Sequence, residues 1–228
     1  MRPVTGRVKH YAGMKRLNRR AIGLAICLAS MAGCVDAIGF LHLGGFFISF
    51  MSGNSTQMMV GLVDGQWLRG LQFAGILALF VLGTLSGTLI GYAGRVEQHA
   101  VRVLGLVTLM LAGAALSFAL GWPIVTVILM TLAMGAENAV FQRDGDVVVG
   151  LTYMTGTLVK VGQKLAQTMR GGPAFDWAPY LLLWLGLVCG GGVGAVLYHH
   201  LGLNSLWLVA GWAAAMMLYA ALDKQATG

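Results

Sequence analysis

A chain of 228 residues that is 57% hydrophobic and only 10% charged falls well below the charge of a soluble domain, about 25%, so a water-soluble globule is excluded. The net charge of +7 comes from one place: seven basic residues and no acid precede position 21, and the remaining eight Lys/Arg balance eight Asp/Glu. Glycine reaches 34 residues without a Gly-x-y period or a Ser-rich tract, which excludes collagen and flexible linker and leaves close helix packing in lipid.

Residues 1–20 therefore read as a basic cytoplasmic arm that meets anionic lipid, and not as a nucleic-acid contact. The first apolar run, 21–41, is long enough to span at 1.5 Å per residue. It ends in a region where Met31-Ala-Gly-Cys34 imitates a lipoprotein cleavage box. The helix is expected to be retained, because its second-half counterpart makes it part of the fold. Asp36 interrupts this run, and an intramembrane carboxylate marks either a pathway or a buried partner.

A more polar segment, 44–63, follows. It opens with an extended-looking Phe46-Phe47-Ile48-Ser49 and reaches the cluster Met51-Ser52-Gly53-Asn54-Ser55 before a helical pattern begins. Runs 70–94, 102–121 and 123–141 span next, and 147–168 repeats the polar design with Met154-Thr155-Gly156-Thr157. Lys160 and Lys164, one turn apart with Gln167, read as a solvated cytoplasmic end, with a polar cavity face that attracts anions as the alternative. Runs 178–198 and 203–222 complete the spans, leaving 223–228 as a cytoplasmic tail. Trp67, Trp122 and Trp177 stand at segment edges, where interfacial anchors are placed.

The two halves match at an offset of about 102 to 107 residues. Gly33-Cys-Val-Asp36-Ala37 answers Gly135-Ala-Glu-Asn138-Ala139, and Met51-Ser-Gly53 answers Met154-Thr-Gly156. Gly83 and Gly87 answer Gly190 and Gly194, as packing pairs in the next helix. The chain is thus expected to be one transmembrane domain, 21–222, with repeats at about 21–121 and 123–222. If the two polar segments dip in and return, six helices span, and Arg95, Arg102 and Arg143 join the cytoplasmic side as the positive-inside bias requires. Three spans per unit invert the second copy relative to the first. The expected fold is an all-α membrane protein of two inverted units, each with three transmembrane helices and one re-entrant half-helix. Both termini are expected in the cytoplasm of an inner-membrane protein.

Gly33-x-x-Asp36-Ala37, the Phe46-to-Gly53 approach with Ser52-Gly53-Asn54, and their second-half echoes resemble the YoaK-like family of bacterial membrane proteins, a domain of unknown function. The resemblance runs from about residue 20 to the end. It implies a multi-pass membrane protein and names no substrate. Ser52 and Thr157 stand where the family's usual residues look like Thr and Asn.

A helix that begins inside the membrane presents free N–H groups and the positive end of its dipole to polar or anionic solutes. Ser52, Gly53 and Asn54, with Thr155, Gly156 and Thr157, are the candidate substrate-binding residues, and the alternative for them is capping alone. Asp36, Glu137 and Asn138 are the candidates for proton or ion coupling, with Asp36 expected to titrate; its alternative is to bond the adjoining backbone. Metal and cofactor sites are not expected. The cysteines Cys27, Cys34 and Cys189 are scattered, the histidines lack ligand spacing, and neither a nucleophile elbow nor a phosphate-binding loop is present. The chain is expected not to be an enzyme. A secondary transporter or channel-like permease for a small polar or anionic solute is the leading expectation, with proton coupling as an option and a homo-oligomer allowed. A non-transporting sensor or scaffold is the alternative.

Overall fold

The computed structural model describes residues 18–143, 146–147 and 149–223; most of the basic arm and the last five residues lie outside them. Among the described residues the chain is helical apart from one two-residue ladder. Its helices are α1 (Arg19–Leu43), α2 (Met51–Val63), α3 (Trp67–Tyr92), α4 (His99–Ala119), α5 (Pro123–Glu137), α6 (Met154–Met169), α7 (Ala178–Leu201) and α8 (Leu206–Leu222). Short 3-10 turns precede α4 and α8. Strands β1 (Gln142–Arg143) and β2 (Asp146–Val147) pair antiparallel between α5 and α6.

Among the described residues, four stretches are long and apolar enough to cross a membrane: Arg19–Leu43, Trp67–Tyr92, Val96–Ala119 and Ala178–Leu222. The last covers α7 and α8, which are divided at Gly202 by its positive φ of 57°. Apolar side chains face outward along these helices; Leu109 of α4, for example, is 73% exposed. That is a lipid-facing surface rather than an aqueous one. The apolar run expected over 123–141 is helical only to Glu137, where Asn138, Ala139 and Val140 shift to i−3 hydrogen bonds. The 15-residue α5 is therefore shorter than the full span that the hydropathy suggests.

The packing pairs helices across the two halves. α1 lies most closely on α7, α5 on α3 and on α4, and α4 on α8. Glycine makes these approaches possible. A Cβ on Gly33 would collide with the Leu187 carbonyl, one on Gly190 with Ser30, and one on Gly194 with Cys34. In the other pair Gly135 abuts Phe80, Gly83 abuts Leu132 and Gly87 abuts Ala136. Each contact of the first set is a contact of the second moved by one repeat. At these contacts α1 packs on α7 as α5 packs on α3.

Arg20 of α1 pairs with Asp223 after α8 at 2.9 Å, so the start of α1 and the end of α8 share one side. The start of α4 is joined to the far end of α5, where the His99 ring nitrogen Nε2 donates to the Ala139 carbonyl at 2.8 Å.

The paired hinges and the cavity between two helix starts

The first hinge begins where α1 ends. Gly44 adopts φ 64° and returns its N–H to the Phe40 carbonyl, the left-handed cap that glycine permits. The chain then runs back along α1: Ile48 packs onto Gly39 and the Phe40 and Phe47 rings meet at 4.8 Å. Asp36 anchors the returning strand. Its Oδ1 accepts the N–H groups of Ile48 (2.7 Å) and Ser49 (2.6 Å), and its Oδ2 accepts the Ser49 hydroxyl (2.8 Å). Such donors stabilise the ionised carboxylate and order two consecutive residues, Ile48 and Ser49, before α2.

Asn54 braces the same strand from the other side. Its Oδ1 accepts the Phe47 N–H at 3.1 Å and its Nδ2 donates to the Phe47 carbonyl at 2.7 Å. The side chain is fully buried and has no polar atom left for a solute beyond this closed pair. Gly53 is held under the Phe50 ring, with which a Cβ would clash. These two positions of the expected binding cluster therefore shape the hinge.

The second hinge repeats the first with different chemistry. Asn138 occupies the place of Asp36 and Thr152 that of Ser49: the Thr152 hydroxyl donates to Asn138 Oδ1 at 3.1 Å, while Asn138 Nδ2 donates to the Met134 carbonyl at 3.0 Å. Thr157, at the place of Asn54, bonds back to the Tyr153 carbonyl at 3.2 Å. Ser49 and Thr152 were not singled out in the sequence, although they share the 103-residue offset of the glycines they precede. Glu137 stands apart: it is fully buried, and among the described residues neither carboxyl oxygen has a hydrogen-bond partner.

Both hinges deliver a helix start without a side-chain cap. Phe50 and Tyr153 hold the cap positions of α2 and α6, and no side chain bonds the first turn in either. First-turn N–H groups have no partner within their own helix, so those of Ser52, Gly53, Thr155 and Gly156 are available. The two starts meet. Met51 and Ser52 of α2 and Met154, Thr155 and Gly156 of α6 line one cavity of about 270 Å³, together with Ser49, Phe50, Thr152, Tyr153 and Phe80. A Cβ on Gly156 would meet nothing within 4 Å. A second cavity of about 440 Å³ adjoins it through Ser49, Phe50, Thr152 and Met154 and extends past Asp36 between α1 and α7. Its walls are mainly apolar.

With the geometry described, comparison with known sequences identifies the family. The family described as "Protein of unknown function (DUF1275)" matches residues 24–219. The chain belongs to the DUF1275 family. It is 38% identical to the UPF0700 transmembrane protein RA0705 of Rhizobium meliloti (strain 1021) over 205 residues, covering 89% of this chain and 87% of that protein. It is 32% identical to the UPF0700 transmembrane protein YoaK of Bacillus subtilis (strain 168) over 146 residues, 60% of this chain and 62% of YoaK. No solved structure matches. The DUF1275 match encloses both hinges, and with two relatives named as transmembrane proteins, this chain is a multi-pass membrane protein.

Proposed function

We propose that the chain is a secondary transporter or channel-like permease for a small anionic or polar solute, bound between the starts of α2 and α6. The observation that carries this reading is the cavity shared by two uncapped helix starts. Two positive dipole ends converge on it, with free N–H groups and the hydroxyls of Ser52 and Thr155 at its wall. The arrangement is that of discontinuous-helix carriers, and to that extent the argument is by analogy.

Inverted architecture belongs to the same reading. α1 and α7 run side by side in the same direction, since Ser30 meets Gly190 and Cys34 meets Gly194; α3 and α5 do likewise. The Arg20–Asp223 pair and the approach of Gly105 to Met217, across α4 and α8, set α8 antiparallel to α1 and to its own counterpart α4. Those relations support a two-fold axis in the membrane plane. Chain reversal at Gly44, followed by the short α2, supports a re-entrant segment. With the basic arm inside, six helices span an inner membrane and both termini are cytoplasmic. Asp36 at the wall of the larger cavity, with the buried acid Glu137 on the neighbouring α5, supports coupling to protons.

Gly156→Leu tests the reading. Its side chain enters the cavity from a backbone with room for it, so the variant folds. Purified wild-type protein screened against small anions and polar metabolites is expected to gain thermal stability with a ligand, by mass action, and Gly156→Leu to lose that gain. In proteoliposomes the same ligand is taken up by wild type and not by the variant. Stabilisation without uptake would favour a sensor; the absence of both would remove the reading.

A further inference from the structure

The two hinges share one arrangement. Each has a polar residue on the preceding helix that accepts from a hydroxyl on the returning strand: Asp36 from Ser49, Asn138 from Thr152. Asn138 thus does for the second hinge what Asp36 does for the first, and no structural task is left for Glu137. Its counterpart one repeat earlier is Val35, a buried core residue. A carboxyl sits where the fold accepts a valine, with both oxygens unbonded.

The Asp36 carboxylate, held by three hydrogen bonds, lies within electrostatic reach of Glu137. An ionised, unbonded Glu137 beside it would combine the burial cost of a bare charge with repulsion between like charges. Two neighbouring carboxyls in such a site keep one proton between them. Other ionisable groups on the helices packed against α5 offer no relief. His99 is engaged with the Ala139 carbonyl, and Arg102 donates to the carbonyls of Ile90, Gly91 and Arg95. Cys34 and Tyr92 supply no positive charge. His42 lies by Pro123, at the opposite end of α5; Arg69 begins α3, and Arg19, Arg20 and Cys27 lie in the first half of α1.

We infer that Glu137 is the proton-carrying group of this protein and that Asp36 is its fixed counter-charge. Glu137 holds a proton while it is buried, and releases it once a rearrangement of α5 against α1 and α3 lets water reach the carboxylate. Transport as proposed above supplies the use of that proton, and to that extent the inference rests on it; the seat of the proton does not.

The test uses the whole protein in lipid nanodiscs and infrared spectroscopy, and the sequence makes it clean. The chain has two glutamates, Glu97 and Glu137, and Glu97 is exposed. At neutral pH the wild type is expected to show the C=O stretch of one protonated carboxyl, shifted when glutamate alone carries carbon-13 in its carboxyl and shifted again in D2O. Glu137→Gln is expected to lack the band. Since the isotope arm needs no substitution, misfolding of the variant leaves the test intact. A spectrum without the band, a band unmoved by labelled glutamate, or one that never exchanges in D2O would overturn the inference. Should the band behave as expected while no solute stabilises the protein or crosses the membrane, the transport reading fails and the proton site stands.

Discussion

At the scale of single residues, Asp36 and Asn138 hold equivalent places and do related work with unequal strength. Hydrogen bonds to a charged group are worth about 1.5–3 kcal/mol, against about 1 kcal/mol for neutral ones. Asp36→Asn exchanges charged for neutral bonds at the first hinge and sets an amide N–H against a backbone donor. It is expected to lower stability by roughly 2–4 kcal/mol. Thr152→Val, which removes the second hinge's hydroxyl, is expected to cost only about 1 kcal/mol. Thermal unfolding of both variants in one detergent checks the ratio, and equal losses would show that the charge on Asp36 adds nothing. The sequence made Asp36 conspicuous because an acid breaks an apolar run, but its partners lie 12 and 13 residues on. Hydropathy carries no information about which backbone N–H a carboxylate will find. Glu137 was legible as an acid and not as an unbonded one, for the same reason.

Among the helices, glycine decides the partners. Gly190 is pressed on Ser30, whereas Gly192, two residues away on α7, has nothing within 4 Å of an added Cβ. Gly190→Leu is expected to force α1 and α7 apart and to cost at least the 1–3 kcal/mol of an overpacked core. Gly192→Leu points into lipid and is expected to be neutral or slightly stabilising, since leucine is the better helix former. Gel filtration and melting temperature read both. If the two substitutions behave alike, the close approach of α1 and α7 is wrong. Sequence spacing had already marked Gly83, Gly87, Gly190 and Gly194 as packing residues. What it lacked was the partner: a glycine shows that something comes close, and only the fold shows that α3 receives α5 while α7 receives α1. The helix starts were legible too, as polar clusters after an extended approach. Their cap positions were not, because Phe50 and Tyr153 are not capping residues, and Asn54, a candidate for binding or capping, bonds Phe47 instead.

For the molecule as a whole, orientation is the open quantity, and two loops report it. In a cysteine-free variant that carries Asp64→Cys, the six-span arrangement puts the thiol outside. With Glu97→Cys instead, the thiol is inside. An impermeant maleimide added to intact cells is expected to label the first and spare the second. The reverse pattern would mean that 44–63 and 147–168 span fully, giving eight spans. Pairing of helices across the halves also sets a timetable for synthesis. α1 leaves the ribosome early, yet the surface its glycines are shaped for belongs to α7, which begins at Ala178. At about 5–20 residues per second the wait is roughly 7–27 s. Through that interval α1 stands in the bilayer with Gly33 facing lipid or the insertion machinery, and its own half cannot close over it. The first half therefore cannot complete its packing until the second half is made.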